Sequence, residues 1–149
     1  MSIYLGYNLE KRTQQINRAD ITNWSSEVNN LKFNSTSKSK WNKRTIGDET
    51  WYYIQFGGKS NYANSDRVFK FTVGVAGTVS ITVSNTGNDP ATDGRAVAVK
   101  DASGTEQTTV CKVGATSPEV MEFEVEAGEV AVYTVTNGLA FYKIEFHSK

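Results

Sequence analysis

The stretch Thr78-Val79-Ser80-Ile81-Thr82-Val83-Ser84 alternates hydroxyl and branched apolar side chains without a break. Successive side chains of a β-strand point to opposite faces, so the three apolar residues share one face and the four hydroxyls share the other. Branched side chains also favour extended backbone. The pattern therefore predicts a strand that turns one face to a core and the other face outwards.

The same period of two recurs along the chain from Ile21 onwards. Val68–Val73 and Met121–Val125 alternate as clearly, the second with glutamates on its outer face. Six further runs have strand character: Leu31–Phe33, Trp51–Phe56, Arg95–Lys100, Thr108–Val113, Glu129–Thr136 and Leu139–Phe146. Segments rich in Gly, Asn and Asp separate these runs. About nine short strands without a long helical pattern between them predict an all-β fold, an antiparallel β-sandwich of jelly-roll type.

The pattern also predicts details of this sandwich. Five side chains on the apolar faces are assigned to the core: Phe71, Ile81, Val83, Phe123 and Ile144. Asn137-Gly138 stands between two apolar runs, and both residues tolerate positive φ, so this dipeptide predicts a β-hairpin.

Length and composition suit one domain of this kind. The 149 residues include 12 Gly, only 2 Pro and only four Leu, which argues against a helical bundle. No apolar run approaches the roughly 20 residues that cross a bilayer. Residues 1–19 are polar and are predicted to be an N-terminal extension or linker, and residues 20–149 to be the sandwich. The start of the chain lacks the pattern of a signal peptide.

Charge is unevenly distributed along the chain, although the formal net charge is zero. Residues 1–70 carry 11 Lys and Arg against 6 Asp and Glu, whereas residues 71–149 carry 5 against 10. The densest basic cluster, with no acidic residue between Glu27 and Asp48, contains five residues: Lys32, Lys38, Lys40, Lys43 and Arg44. Such a stretch favours an anionic partner, or it is a solvated loop balanced by acidic strands. A nucleic-acid partner is not expected, because such domains are usually basic overall.

Residues suited to catalysis are few. The one histidine, His147, lies near the chain end, and the one cysteine, Cys111, lies within a strand pattern and is expected to be a buried thiol. Asp89 and Asp93 stand in a loop whose oxygen atoms suit Ca²⁺, but Asx-turn chemistry accounts for the same residues. We therefore expect no catalytic residues, no metal site and no cofactor, although a small lyase or hydrolase stays an alternative.

Residues suited to binding sugars are better represented. Trp41 is flanked by Lys40 and by Asn42-Lys43-Arg44, and such aromatics stack on pyranose rings while Lys, Arg and Asn meet hydroxyls and carboxylates. In the run Trp51–Phe56 we assign Tyr52, Ile54 and Phe56 to the core, which leaves Trp51 and Tyr53 on the exposed face. The alternative is that Trp41 and Trp51 are both buried and anchor the fold.

A series of motifs resembles a known family. They are Asp20-Ile21-Thr22-Asn23-Trp24, Gly57-Gly58-Lys59 followed by Asp66-Arg67-Val68-Phe69, Gly77-Thr78-Val79-Ser80-Ile81-Thr82-Val83, Gly94-Arg95-Ala96-Val97 and Gly138-Leu139-Ala140-Phe141-Tyr142-Lys143-Ile144. Over about residues 20–146 their order is similar to the pectin-binding carbohydrate-binding modules attached to secreted bacterial pectate lyases and pectin methylesterases.

The resemblance implies non-catalytic binding of plant cell-wall polysaccharide, above all acidic pectin, within a larger secreted enzyme. It points to Lys59, Arg67 and Arg95 as basic residues that engage galacturonate. Either arginine also suits a structural role, pairing with a neighbouring carboxylate or a turn carbonyl. A different class of function, a structural or adhesion sandwich that binds another protein, is the alternative to glycan binding.

Overall fold

The computed structural model describes residues 2–4, 25–28, 31–34, 39–56 and 68–149, with side chains from residue 42 onwards. These residues form twelve strands and no helix, so no part of them has the length and apolar character of a membrane-spanning helix. The strands are β1 (Ser2–Tyr4), β2 (Ser25–Val28), β3 (Leu31–Asn34), β4 (Ser39–Ile46), β5 (Glu49–Phe56), β6 (Val68–Val73), β7 (Gly77–Asn85), β8 (Ala96–Lys100), β9 (Glu106–Val110), β10 (Glu119–Val125), β11 (Gly128–Thr134) and β12 (Leu139–Ser148).

The strands form two antiparallel sheets, which confirms the predicted all-β sandwich. The first sheet has the order β10-β7-β12-β5-β4, with β1 also paired to β12, and the second has the order β2-β3-β6-β11-β8-β9. Each of the nine predicted runs overlaps a strand, but the run Thr108–Val113 corresponds to β9 at Glu106–Val110, so Cys111 lies just after the strand and not within it. The sequence pattern missed β1, β2 and β4, of which β1 lies within the predicted extension 1–19.

The core lies between the two inner faces. Phe56 of β5 stacks on Phe69 of β6 with ring centroids 4.7 Å apart, and Phe141 of β12 meets both rings. The five predicted core side chains are all buried, at 3% exposure or less: Phe71, Ile81, Val83, Phe123 and Ile144. Period-two alternation therefore assigned the inner faces correctly.

The hairpin prediction at Asn137-Gly138 is wrong. β11 belongs to the second sheet and β12 to the first, so this dipeptide carries the chain across the sandwich instead of reversing it within one sheet. The Asn137 side-chain oxygen accepts the Gly138 N–H at 2.8 Å, which bends the connection locally.

A two-residue hairpin joins β4 and β5 instead. Ile46 pairs with Glu49, so Gly47 and Asp48 form the turn, and Gly47 has a φ of +61°. A glycine adopts this left-handed conformation without the steric cost that a side chain adds. This turn sets the register that places the residues of the site described next.

Candidate functional site

The β4–β5 hairpin pairs polar residues of β4 with aromatic residues of β5 on the outer face of the first sheet. Arg44 lies opposite Trp51, and Asn42 lies opposite Tyr53. Paired residues in an antiparallel ladder share a face, so all four belong to the side that faces away from the core.

Three aromatic rings and Arg44 form what we call the aromatic patch: Arg44, Trp51, Tyr53 and Tyr142. The Tyr142 ring lies 5.4 Å from both the Trp51 ring, edge to face, and the Tyr53 ring. The Arg44 guanidinium carbon lies 4.3 Å above the Tyr53 ring centroid, within cation–π range. Trp51 is partly exposed at the margin of the patch.

The expected exposure of Tyr53 is wrong, since only 4% of it is exposed. Tyr53 does lie on the outer face, as the alternation predicts, but Arg44 and Tyr142 cover it there. Trp51 is half-buried, between the predicted exposed position and the alternative of a buried anchor. Ile54 and Phe56 lie in the core as predicted.

Two side-chain donors of the patch meet at one backbone oxygen, the carbonyl of Ala115 in the loop between β9 and β10. Arg44 donates to it through Nη1 at 3.0 Å, and the Tyr142 hydroxyl donates at 3.4 Å. The Tyr142 hydroxyl also lies 2.9 Å from the Ser84 hydroxyl. Burial raises the pKa of Tyr142, so its phenol stays protonated and able to donate.

Arg44 has no anionic partner among the residues that the structure describes. Its interactions there are the Ala115 carbonyl and the Tyr53 ring, and its Nε is buried without any hydrogen-bond acceptor. Buried donors normally have hydrogen-bond acceptors and buried cations normally have anionic partners, so the Arg44 guanidinium is an exception among the described residues.

Polar groups border the patch. The Asn42 side-chain oxygen accepts the Lys43 backbone N–H at 2.8 Å, and Gln55 donates to the Thr86 hydroxyl at 3.4 Å. The Lys43 side chain is exposed, and this residue pairs with Tyr52.

Other predicted site residues are described in part or not at all. Lys40 pairs with Gln55 and Trp41 with Ile54 in the β4–β5 ladder, but their side chains lie outside the described residues. Lys59 and Arg67 lie wholly outside them, so the expectations for these four side chains stay predictions.

Arg95 lies in a different place, where it holds two loops together. Its Nε lies 3.1 Å from the Asp93 carboxylate, and its Nη1 donates to the Gly138 carbonyl at 2.7 Å. The buried Asn85 side chain donates to the same Asp93 carboxylate at 2.8 Å. We call Asn85, Asp93, Arg95 and the Gly138 carbonyl the Arg95 clamp. These contacts match the structural role that the sequence left open.

Gly87 leaves room for the clamp. A Cβ at Gly87 would lie 2.5 Å from the Asp93 carboxylate and 2.9 Å from the Arg95 guanidinium. Asp93 is thus occupied by Asn85 and Arg95, and the described residues contain no group of three or more His, Cys, Asp or Glu that could hold a metal ion.

Cys111 is fully buried beside the clamp, as expected for a structural thiol. Asn85 donates to its carbonyl at 3.1 Å, and burial raises the pKa of the thiol to about 12. His147, in contrast, is 63% exposed near the end of β12, with its Nε2 3.5 Å from the Glu145 carboxylate. Neither residue adjoins the aromatic patch in a way that would build a nucleophile–base pair.

Sequence reasoning placed Asn42 and Arg44 beside Trp41 as polar groups for a sugar, but it paired neither of them with Trp51 or Tyr53, and it missed Tyr142 as a site residue. The run Lys40–Thr45 is too polar to read as a strand, so β4 was not predicted. A turn at Gly47-Asp48 would have revealed it, because a two-residue hairpin there pairs Arg44 with Trp51 directly.

No protein-family model matches the chain. No curated protein matches it either. Among solved structures, the chain is similar to a family 35 carbohydrate-binding module from Clostridium thermocellum, with 14% identity, a TM-score of 0.48 and coverage of 84% of this chain and 97% of that one.

Two further structures have comparable scores. One is the carbohydrate-binding module CBM6cm-2 of Cellvibrio mixtus lichenase 5A in complex with cellotriose, at 8% identity and a TM-score of 0.44, covering 76% of this chain and 88% of that one. The other is a family 43 arabinoxylan arabinofuranohydrolase from Bacillus subtilis, at 14% identity and a TM-score of 0.45, covering 79% of this chain and 26% of that one. Carbohydrate-binding modules are thus among the solved structures that this chain resembles.

Proposed function

We propose that the chain is a non-catalytic module that binds polysaccharide at the aromatic patch, with acidic pectin as the preferred ligand. One observation carries the proposal: a partly exposed tryptophan, Trp51, lies on an outer sheet face directly opposite an arginine, Arg44. Outer strand faces are usually polar, so an aromatic surface at that position suggests a binding role.

The chemistry of the patch suits a sugar. A pyranose ring has an apolar face that packs against an indole, and Asn42 and Gln55 beside it offer amide donors and acceptors to ring hydroxyls. Tyr53 and Tyr142 then act beneath the surface, as the support on which Trp51 and Arg44 rest. Rigid support of this kind lowers the entropic cost of binding.

The preference for acidic pectin rests on the cations of this part of the chain. Lys40 pairs with Gln55 and therefore alternates in register with Arg44 in β4, whereas Lys43, whose side chain is exposed, pairs with Tyr52 and belongs to the opposite face of the strand. Lys59 and Arg67 enter the proposal through the resemblance to pectin-binding modules. Arg95 we assign to the structural clamp, because its donors already serve Asp93 and Gly138.

The absence of catalysis is part of the proposal. Glu122 and Glu124 are exposed on the outer face of β10, and two strands, β7 and β12, lie between them and β5 in the first sheet. A glycosidase needs two carboxylates about 5–10 Å apart around the scissile bond. We further propose that the chain works within a larger secreted enzyme, as the resemblance implies.

The test is calorimetric titration with polygalacturonate, methyl-esterified pectin, xylan, β-glucan and mannan at low and high salt. We expect modest affinity for polygalacturonate, weaker binding to the ester, and loss of affinity between 0.1 M and 1 M salt, since the Debye length shortens from about 10 Å to about 3 Å.

Trp51→Ala provides the site-specific arm, and Val120→Ala provides the control, because Val120 is 62% exposed on the distant edge strand β10. Trp51→Ala should weaken binding at least about tenfold, since burying an apolar side chain contributes about 1.5–3 kcal/mol. Equal binding by both variants would contradict the proposed site, and failure to bind any of the five polymers would favour the protein-binding alternative.

A further inference from the structure

The geometry points to a carboxylate subsite beside Trp51, in which Arg44 is the specificity-determining residue and the Ala115 carbonyl occupies the place of the ligand carboxylate until a uronate sugar binds. This inference rests on the proposed function and names the chemical class of ligand at the same surface. It gives Arg44, which the sequence placed only within a basic cluster, a specific role, and it adds a loop, residues 114–118, that neither the sequence pattern nor the resemblance assigned.

The first argument is the electrostatic state of Arg44. Its guanidinium is always protonated, yet it lies against an aromatic ring without a carboxylate among the described residues, and its Nε has no acceptor. Only the Nε is removed from water, since Arg44 as a whole is partly exposed, and a partly desolvated cation of this kind is stabilised by an anion that reaches it. Arg95 differs, because its counter-ion Asp93 is 3.1 Å away.

The second argument is the convergence of donors. Arg44 Nη1 and the Tyr142 hydroxyl both donate to the single oxygen of Ala115, at 3.0 and 3.4 Å. A carbonyl oxygen is a neutral acceptor, whereas a carboxylate offers two charged oxygens that match the fork of a guanidinium. A carboxylate at this position would therefore satisfy the same donors better than the carbonyl does.

The third argument is that the loop of residues 114–118 can move, so that the Ala115 carbonyl leaves Arg44. Residues 114–118 are held internally by one hydrogen bond, from the Ser117 N–H to the Gly114 carbonyl at 3.0 Å, and Thr116 and Ser117 are exposed. Displacing the Ala115 carbonyl breaks only its two bonds to Arg44 and Tyr142. The Tyr142 hydroxyl keeps Ser84 as a partner at 2.9 Å during the exchange.

The position of Arg44 opposite Trp51 determines which substituent of a stacked sugar meets the guanidinium. Arg44 and Trp51 are directly opposed across two strands, so their Cα atoms are about 4.5–5.5 Å apart. A sugar that stacks on the indole therefore brings a substituent of its own ring within reach of the guanidinium. A uronate carries its carboxylate on the ring, and a neutral hexose carries a hydroxymethyl group there.

The experiment compares tri-α-1,4-galacturonate with tri-α-1,4-galactose, which differ only at that substituent. Both are titrated calorimetrically into the full chain and its variants Arg44→Lys, Arg44→Gln and Lys149→Gln, and amide NMR shifts of residues 114–118 are recorded. Lys149→Gln is the charge-matched control, since Lys149 is 67% exposed at the far end of β12. Thermal unfolding verifies that each variant is folded.

We expect the native chain to bind the acidic trimer at least about tenfold more tightly than the neutral one, the effect of a charge-assisted hydrogen bond. Arg44→Gln should remove most of this ratio and leave only the contribution of the other cations, Arg44→Lys should reduce it less because the charge is kept while the planar fork is lost, and Lys149→Gln should preserve it. Residues 114–118 should shift with the acidic trimer only.

Each other result overturns a distinct statement. Equal binding of both trimers, unchanged in Arg44→Gln, refutes the carboxylate subsite and leaves polysaccharide binding intact. Equal losses in Arg44→Gln and Lys149→Gln would mean that net charge, and not this site, attracts the acid. Binding of neither trimer, together with no binding of any polymer, refutes both the subsite and the proposed function. If Arg44→Gln fails to fold, Arg44→Lys and the loop shifts decide.

Discussion

Arg44 and Arg95 show two opposite uses of the same side chain. Each donates to a backbone carbonyl far away in sequence, Arg44 to Ala115 at 3.0 Å and Arg95 to Gly138 at 2.7 Å. Arg95 also has a carboxylate, Asp93, whereas Arg44 lies on a tyrosine ring, and its Nε has no acceptor among the residues that the structure describes.

This difference in partners distinguishes an arginine that stabilises the fold from one that is available to bind a ligand. A guanidinium with a counter-ion and engaged donors has few hydrogen bonds available for a ligand. Its substitution is therefore expected to lower the free energy of unfolding. A guanidinium that lacks a counter-ion can still form an ion pair with a ligand, so its substitution is expected to lower the affinity for that ligand. β7 connects the two regions, since Ser84 contacts Tyr142 and the next residue, Asn85, belongs to the Arg95 clamp.

The largest expected effect is on the core beneath both regions. Ile81 lies on β7 and is fully buried, so Ile81→Ala should lower the free energy of unfolding by about 2–5 kcal/mol. Val120→Ala, on the neighbouring strand but 62% exposed, is the control and should cost less than about 0.5 kcal/mol. Urea unfolding measures both, and a loss in Ile81→Ala as small as that of the control would contradict the core assignment.

The next effect is on the Arg95 clamp. Asp93→Asn removes the counter-ion of Arg95 and leaves one acceptor oxygen where the carboxylate has two, so either the Arg95 Nε or the fully buried Asn85 side chain then faces an NH2 donor. We expect a loss of about 1–3 kcal/mol in urea unfolding, the usual cost of a buried donor left unsatisfied. The matched control is Asp89→Asn in the same loop, where the Asp89 side chain is exposed and only its backbone carbonyl is bonded, to Thr92 and Asp93. Equal losses in both variants would remove the distinction.

The inner faces of the sandwich were predictable from the sequence and the outer face of the site was not. Alternation is a local property, so Phe71, Ile81 and Phe123 could be assigned without knowing their partners. The burial of Tyr53 depends on Arg44 and Tyr142, which reach it from other strands. No local pattern contains that information.

The two errors of topology and site have a similar origin. Asn137-Gly138 has the composition of a hairpin turn, but whether strands on either side pair depends on which sheet each one joins. Arg44 became a site residue through register with Trp51 and through a loop 71 residues away. Both features depend on tertiary contacts, which local sequence patterns do not determine.

A smaller effect concerns Cys111, which reports on the clamp because Asn85 bonds its carbonyl. The thiolate is the reactive form, and the thiol has a pKa raised to about 12, so labelling by iodoacetamide at pH 8 should be slow in the native chain. Asp93→Asn should speed labelling about tenfold by easing local opening, and Arg44→Gln should leave it unchanged. Faster labelling in Arg44→Gln than in Asp93→Asn would reverse the roles assigned to the two arginines.

The smallest expected effect on stability is that of Arg44→Gln. The change removes the bond to Ala115 and the cation–π contact with Tyr53, which together stabilise the fold, but it also removes the buried Nε that has no acceptor. These contributions are each about 0.5–3 kcal/mol and have opposite signs, so the net loss in urea unfolding should stay within about 1 kcal/mol. Asp93→Asn in the same assay is the comparison. A loss in Arg44→Gln larger than that in Asp93→Asn would mean that Arg44 serves the fold as Arg95 does, because a side chain kept for a ligand should contribute less to the stability of the empty protein.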